Sequence, residues 1–199
     1  MEFRDLKRQY QAHRQAIDDA MQEVIRGTHF IGGPQVGQLE ERLAAFAGVR
    51  HCIACGNGTD ALQLALMAWE IGEGDAAFVP DFTFFSSGEV VPLVGAVPVF
   101  VDVDPLTYNI DCNSLEKAVE FVAQHTAYQP KAIVAVDLFG QPAEYDRIRA
   151  IADRYDMLVL EDAAQSFGGI WKEKRTCSLG DISTTSFFPS KPLGCYGDG

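Results

Sequence analysis

Residues 131–162 read KAIVAVDLFGQPAEYDRIRAIADRYDMLVLED, and this stretch decides the fold. Lys131–Val136 is a short, nearly all-apolar run, the pattern of a strand buried on both faces. Ile148, Ile151, Ala152 and Tyr155 then recur at helical spacing, and Met157–Leu160 is a second apolar run. Strand, amphipathic helix, strand is the unit that connects parallel neighbours in a sheet.

The same alternation extends in both directions. Upstream, the spacing predicts a helix from about Gln11 to Arg26 and another over Val36–Phe46, where Val36, Leu39, Leu43 and Phe46 share a face. A strand near His51–Ala54, a glycine turn and a helix over Thr59–Trp69 follow. Strands at Ala76–Val79 and Val97–Val101 flank a short helix around Ser87–Leu93. Asn113-Ser114-Leu115-Glu116 has the form of a capping box, opening a helix with Leu115, Val119 and Val122 on one face. Downstream, Asp181–Phe187 is a candidate strand. The order predicts an α/β fold: a mostly parallel sheet with helices on both faces. Such sheets bind ligands at the carboxyl ends of their strands. The loops to inspect are therefore Gly56–Asp60, Pro80–Ser86, Asp137–Gln141, Asp162–Gly169 and Pro189–Gly199.

The chain of 199 residues is long enough for one sizeable core, and 47% hydrophobic with 22% charged residues is ordinary for a globular protein. A net charge of −12 argues against nucleic acid or an anionic membrane as the main partner. No apolar run approaches spanning length, and Met1-Glu2-Phe3-Arg4-Asp5 lacks a signal-peptide core, so the expected location is cytoplasmic. Five unevenly spaced cysteines argue against a disulfide framework. Cys52 and Cys55 form a C-x-x-C pair, but on a strand they would face opposite sides, and no second pair completes a zinc site; the expectation is small buried thiols.

Lys191 lies in SFFPSKPLGCYGDG, residues 186–199, among aromatic, proline and glycine residues. Partial desolvation there would lower its pKa and make the free amine a nucleophile able to form a Schiff base with an aldehyde. A surface lysine in a glycine-rich turn is the alternative. Gly56-Asn57-Gly58-Thr59-Asp60-Ala61 lies between a strand and a helix, where glycines and a helix N-terminus suit a phosphate, with the Thr59 hydroxyl as a donor. The same residues fit G-x-G-x-x-A, with Asp81 after the next strand as a ribose-binding acid, so an NAD-dependent oxidoreductase is a second reading; a plain tight turn is a third. Asp162 follows a predicted buried strand and points its carboxylate at any guest in the crevice, or else caps a helix start. Beside a pyridine nitrogen it would keep that nitrogen protonated, and Gln165 could bond the ring's phenolic oxygen. Phe84 is placed to stack on a planar cofactor, or to pack in the core.

Taken together and in this order, these segments resemble the DegT-type nucleotide-sugar aminotransferases, pyridoxal phosphate enzymes of the aspartate aminotransferase fold (fold type I). The matching segments are Gly56–Leu62, Thr83–Ser87, Gly95–Pro105, Asp137–Gly140, Glu161–Gly168 and Ser186–Gly199, of which EDAAQSFG and SFFPSKPLGCYGDG are the most specific. The resemblance implies that Lys191 holds pyridoxal 5'-phosphate as a Schiff base. It pairs Asp162 with the pyridinium nitrogen and places Gln165 at the phenolic oxygen. Gly58, Thr59 and Ser186 hold the phosphate, and Phe84 stacks on the ring. It further implies amino transfer from L-glutamate to a keto-sugar nucleotide, with Lys191 as nucleophile and general base. Lysine rather than histidine at this position argues for transamination over the related dehydratases.

The branch most similar aminates C3 of a UDP-3-keto-hexosamine uronate for surface polysaccharides. It works as a homodimer with each active site at the subunit interface. His29, Phe30 and Ile31 are placed near the sugar by the resemblance, and are equally readable as packing residues. Family members continue beyond the position of Gly199 into the rest of a large domain and a small C-terminal domain. The expectation is an N-terminal arm and an incomplete large domain over residues 1–199, with an incomplete site. An inactive cofactor-binding fragment is the remaining non-enzyme reading.

Overall fold

A computed structural model describes residues 4–199. The chain divides into two compact units, one ending at Ala54 and the other spanning Cys55–Gly199. The first contains helices α1 (Leu6–Gly27) and α2 (Pro34–Ala47). Asp5 caps α1 by accepting from Arg8 N at 2.9 Å, so the helix starts earlier than the apolar spacing predicts. Residues 51–54 form no strand, contrary to expectation; Ala54 N instead donates to Glu40 Oε1 at 2.8 Å.

The second unit holds five parallel strands in the order β2-β1-β3-β4-β7. They are β1 (Asp75–Pro80), β2 (Val97–Val101), β3 (Gln129–Val136), β4 (Leu158–Asp162) and β7 (Ile182–Thr184). Between β4 and β7 a small antiparallel hairpin, β5 (Ile170–Trp171) and β6 (Lys174–Arg175), escapes the sequence pattern because each strand has two residues. Helices α3 (Gly58–Ala68), α4 (Phe85–Leu93), α5 (Cys112–His125) and α6 (Tyr145–Arg154) cover the sheet.

Alternation along the strands divides the core in two. Ala76, Phe78, Ile133, Ala135 and Val159 face one way and pack with Leu115, Val119, Ile148 and Ile151 of α5 and α6. Ala77, Val79, Val134, Val136 and Leu160 face the other way and pack with Leu62, Leu66, Val90 and Val91 of α3 and α4. Helices thus lie on both faces, as the alternation predicts. Each fully buried side chain of this kind, Phe78 for example, contributes about 1.5–3 kcal/mol.

The cap of α5 corrects the sequence reading: Asp111, not the Asn113–Glu116 box, caps it, accepting from Ser114 N at 2.6 Å. The helix begins two residues earlier, at the buried Cys112. Of the cysteine pair, Cys52 and Cys55 are both half-buried rather than buried, and Cys112 is the fully buried thiol. No helix among the described residues is long and apolar enough to cross a membrane.

Candidate active site

At the carboxyl ends of β1, β3, β4 and β7 lies a cavity of about 650 Å³, a size suited to a small-molecule ligand. Gly58, Thr59, Phe84, Asp162, Gln165, Ser186 and Lys191, scattered over the sequence, all line it. Asp81, the acid of the dinucleotide reading, is exposed and lies outside this lining.

At the floor, β4 ends in Asp162, buried with both carboxylate oxygens engaged. Ser87 Oγ donates to Asp162 Oδ2 at 2.8 Å, and Ala164 N donates to Oδ1 at 3.2 Å. Thr83 Oγ1 lies 3.0 Å from Ser87 Oγ. With Ser87's proton committed to the carboxylate, Thr83 is the donor of that pair. Burial pushes the Asp162 carboxyl up; the Ser87 and Ala164 bonds and the nearby Lys191 charge pull the other way. A carboxylate held this way is ready to meet a cationic or N–H group on a ligand.

At one end, Asn57 caps α3, its side chain accepting from Asp60 N at 2.9 Å. Thr59 Oγ1 and Ser86 Oγ are 2.7 Å apart, and Ser186 closes the same corner. Gly58 has no room for a side chain: a Cβ there would sit 2.8 Å from Ser186 Cβ. Helix N-terminus, three hydroxyls and a glycine allowing close approach form a cradle for an anion.

At the opposite wall, Lys191 stands in a turn in which its own N–H donates to Phe188 O at 2.8 Å. Cys195 N donates to Phe187 O at 2.7 Å and so closes the glycine-rich loop behind it. Lys191 is half-buried, and its Nζ lies 5.8 Å from the centroid of the Phe84 ring. The cavity therefore offers an amine, an anion cradle, an aromatic face and a buried carboxylate in one enclosure. That donor set fits a planar, phosphorylated aldehyde with a ring nitrogen. No group of three or more His, Cys, Asp or Glu among the described residues is placed to hold a metal ion.

Ser86 and Ser87 make hydrogen bonds at this site that the sequence does not assign. Their signal is position alone, two serines opening a helix after a strand. Ser87 reaches Asp162 across the intervening strand β3, a pairing that only the strand order makes visible.

The model of the DegT/DnrJ/EryC1/StrS aminotransferase family matches residues 11–199. Over 199 residues the chain is 51% identical to the UDP-2-acetamido-2-deoxy-3-oxo-D-glucuronate aminotransferase of Pseudomonas aeruginosa, covering 100% of this chain and 54% of that protein. A crystal structure of a DegT DnrJ EryC1 StrS aminotransferase from Brucella abortus superposes with a TM-score of 0.98 at 49% identity, covering 100% of this chain and 53% of the other. NtdA of Bacillus subtilis, crystallised with its cofactor PMP bound, superposes with a TM-score of 0.89 at 32% identity, covering 100% and 43%. The chain spans about half the length of the relatives it matches.

Proposed function

The chain belongs to the DegT/DnrJ/EryC1/StrS aminotransferase family, and we propose that its cavity binds pyridoxal 5'-phosphate on Lys191 in a sugar-nucleotide transaminase. The observation that carries this reading is the convergence of Lys191, Asp162 and the Gly58–Ser186 cradle on a single cavity. The amino donor is L-glutamate and the acceptor a UDP-3-keto sugar, in a cytoplasmic step of surface polysaccharide biosynthesis. The identity to the Pseudomonas aeruginosa enzyme supports that acceptor.

Bound at this site, the cofactor supplies an electron sink for charge developing at the substrate carbon. Lys191 Nζ would hold the cofactor covalently, and its free amine would be the base that carries the proton at the reacting carbon. Asp162 holds a proton on the ring nitrogen, with Ser87 and Ala164 N fixing its two oxygens. Gln165 meets the phenolic oxygen; Thr59, Ser186 and the backbone at Gly58 hold the phosphate; Phe84 covers the ring face. The protein acts as a homodimer with its active sites shared between subunits. Exposed aromatic residues on the loops after β1, β2 and β3 support a covered surface there.

The test is spectroscopic. Protein mixed with pyridoxal phosphate gives a visible absorption band, and borohydride fixes the cofactor to a peptide containing Lys191. L-glutamate bleaches the band, and the UDP-3-keto sugar restores it. A band that persists in Lys191→Ala overturns the assignment of the lysine, and its absence from the wild-type protein overturns the cofactor.

A further inference from the structure

Asp137 follows β3 directly and is fully buried, yet it lies outside the lining of the cavity. Its carboxylate ties two loops together. Oδ1 accepts from Ala143 N at 2.9 Å and from Tyr145 Oη at 2.9 Å, both in the segment that leads from β3 into α6. Oδ2 accepts from Ser166 Oγ at 2.9 Å, in the turn after β4.

That turn carries the site. Ala163 N donates to Thr184 O at 2.8 Å and Ser166 N to Ala163 O at 3.1 Å, closing residues 163–166 on themselves. Between those anchors stand Ala164, whose N–H holds Asp162 Oδ1, and Gln165, which lines the cavity. The loop after β3 also meets the turn backbone to backbone: a Cβ on Gly140 would lie 3.2 Å from Gln165 O.

We propose that Asp137 is a positioning residue of the active site, setting the 163–166 turn through Ser166 and thereby aiming Asp162 and Gln165 at the cofactor. This rests on the pyridoxal phosphate reading above. The groups facing Asp137 are Ala143 N, Tyr145 from α6, Glu161 from β4, and Ser166. Burial and then the charge of Glu161 push its carboxyl up to about 7. Near neutrality its proton therefore decides whether Ser166 donates to it or accepts from it. The turn then responds to pH through a group that never touches the ligand.

Two variants make a matched pair. Ser166→Ala and Tyr145→Phe each remove one donor at 2.9 Å from the same carboxylate, so both lower the thermal midpoint of the cofactor-free protein to a similar degree. Only the first cuts the link to the turn. In the cofactor-loaded protein, Ser166→Ala weakens pyridoxal phosphate binding at least about fivefold and moves the pH midpoint of the visible band by about half a unit or more. Tyr145→Phe stays within about twofold in affinity, because the Ser166 link from Asp137 to the turn is intact. Ser166→Cys, close in size and a poor donor, follows Ser166→Ala and guards against a variant that does not fold. Equal responses from Ser166→Ala and Tyr145→Phe overturn the positioning role and leave the cofactor assignment intact. A wild-type protein that shows no visible band overturns both.

Discussion

Asp162 ends β4 and Asp137 follows the adjacent β3, and burial pushes both carboxyls up while their charged neighbours differ. Asp162 has Lys191 nearby to offset its charge, whereas Asp137 has Glu161 as a charged neighbour, which adds to the effect of burial. The folded state therefore holds a proton on Asp137 up to about pH 7, while an unfolded chain releases it near the ordinary carboxylate value of about 4. Between those two pH values the folded state binds more protons, so stability falls as pH rises. Asp137→Asn has no such proton. Urea unfolding of both proteins from pH 4 to pH 8 is expected to show the wild type losing on the order of 3 kcal/mol relative to the variant. Parallel curves would rule out a titrating Asp137. A second substitution isolates the neighbouring carboxylate. Ser87→Ala removes the 2.8 Å donor from Asp162 Oδ2, costs about 1–3 kcal/mol of stability and weakens cofactor binding in an equilibrium titration. Lys191 and Asp162 are legible in the sequence because each stands where a strand or loop must deliver a side chain to the crevice. Ser87 and Asp137 are not, because their roles depend on partners 75 and 29 residues away.

At the level of elements, the α3 N-terminus shows what sequence and structure each contribute. The glycines of residues 56–58 mark a turn, but their chemistry could equally suit a dinucleotide or no ligand. What decides is the neighbour across the cleft. Ser186 lies so close to Gly58 that even one methyl group forces the helix end and the β7 loop apart. Gly58→Ala is expected to lower the affinity for pyridoxal phosphate at least about tenfold, with little change for pyridoxal, which has no phosphate to place. Equal losses for the two ligands, measured by absorbance titration, would remove the phosphate from this corner. The strand cores were legible from their apolar runs, and β2 matches its expected Val97–Val101 span. Ends were less so, since β3 begins at Gln129 and β4 runs on to Asp162, where pairing with neighbours rather than apolar character sets the limit. The expected strand at residues 51–54 is absent, and Ala54 N donates to the Glu40 side chain.

Over the whole molecule, the surface around the carboxyl ends of the strands is unusual for a protein facing water. Phe82 is 50% exposed, Tyr108 45% and Phe139 73%, and they come from the loops after β1, β2 and β3. The Tyr108 ring centroid lies 5.4 Å from that of Phe82 and 5.9 Å from that of Phe139, so the three form one cluster. Tyr108 and Phe139 sit at φ 61° and 57°, a left-handed conformation that costs a bulky side chain about 1–3 kcal/mol. The loops that carry them are fastened together: Asn109 Nδ2 donates to Gln141 O at 3.0 Å and Pro142 O at 3.2 Å. Rigid, strained and exposed aromatic residues are costly in isolation, and a second subunit laid over them would offset that cost by burying their apolar area. The proposed homodimer with shared active sites supplies such a subunit. Phe139→Asp places a charge at the most exposed end of the cluster while leaving the cavity lining unaltered. Sedimentation velocity is expected to show a dimer for the wild-type protein and a monomer for the variant at about 10 μM, a weakening of at least tenfold, or about 1.4 kcal/mol. A variant that remains dimeric places the interface elsewhere. A monomeric wild type that still binds the cofactor separates the shared-site proposal from the chemistry of Lys191.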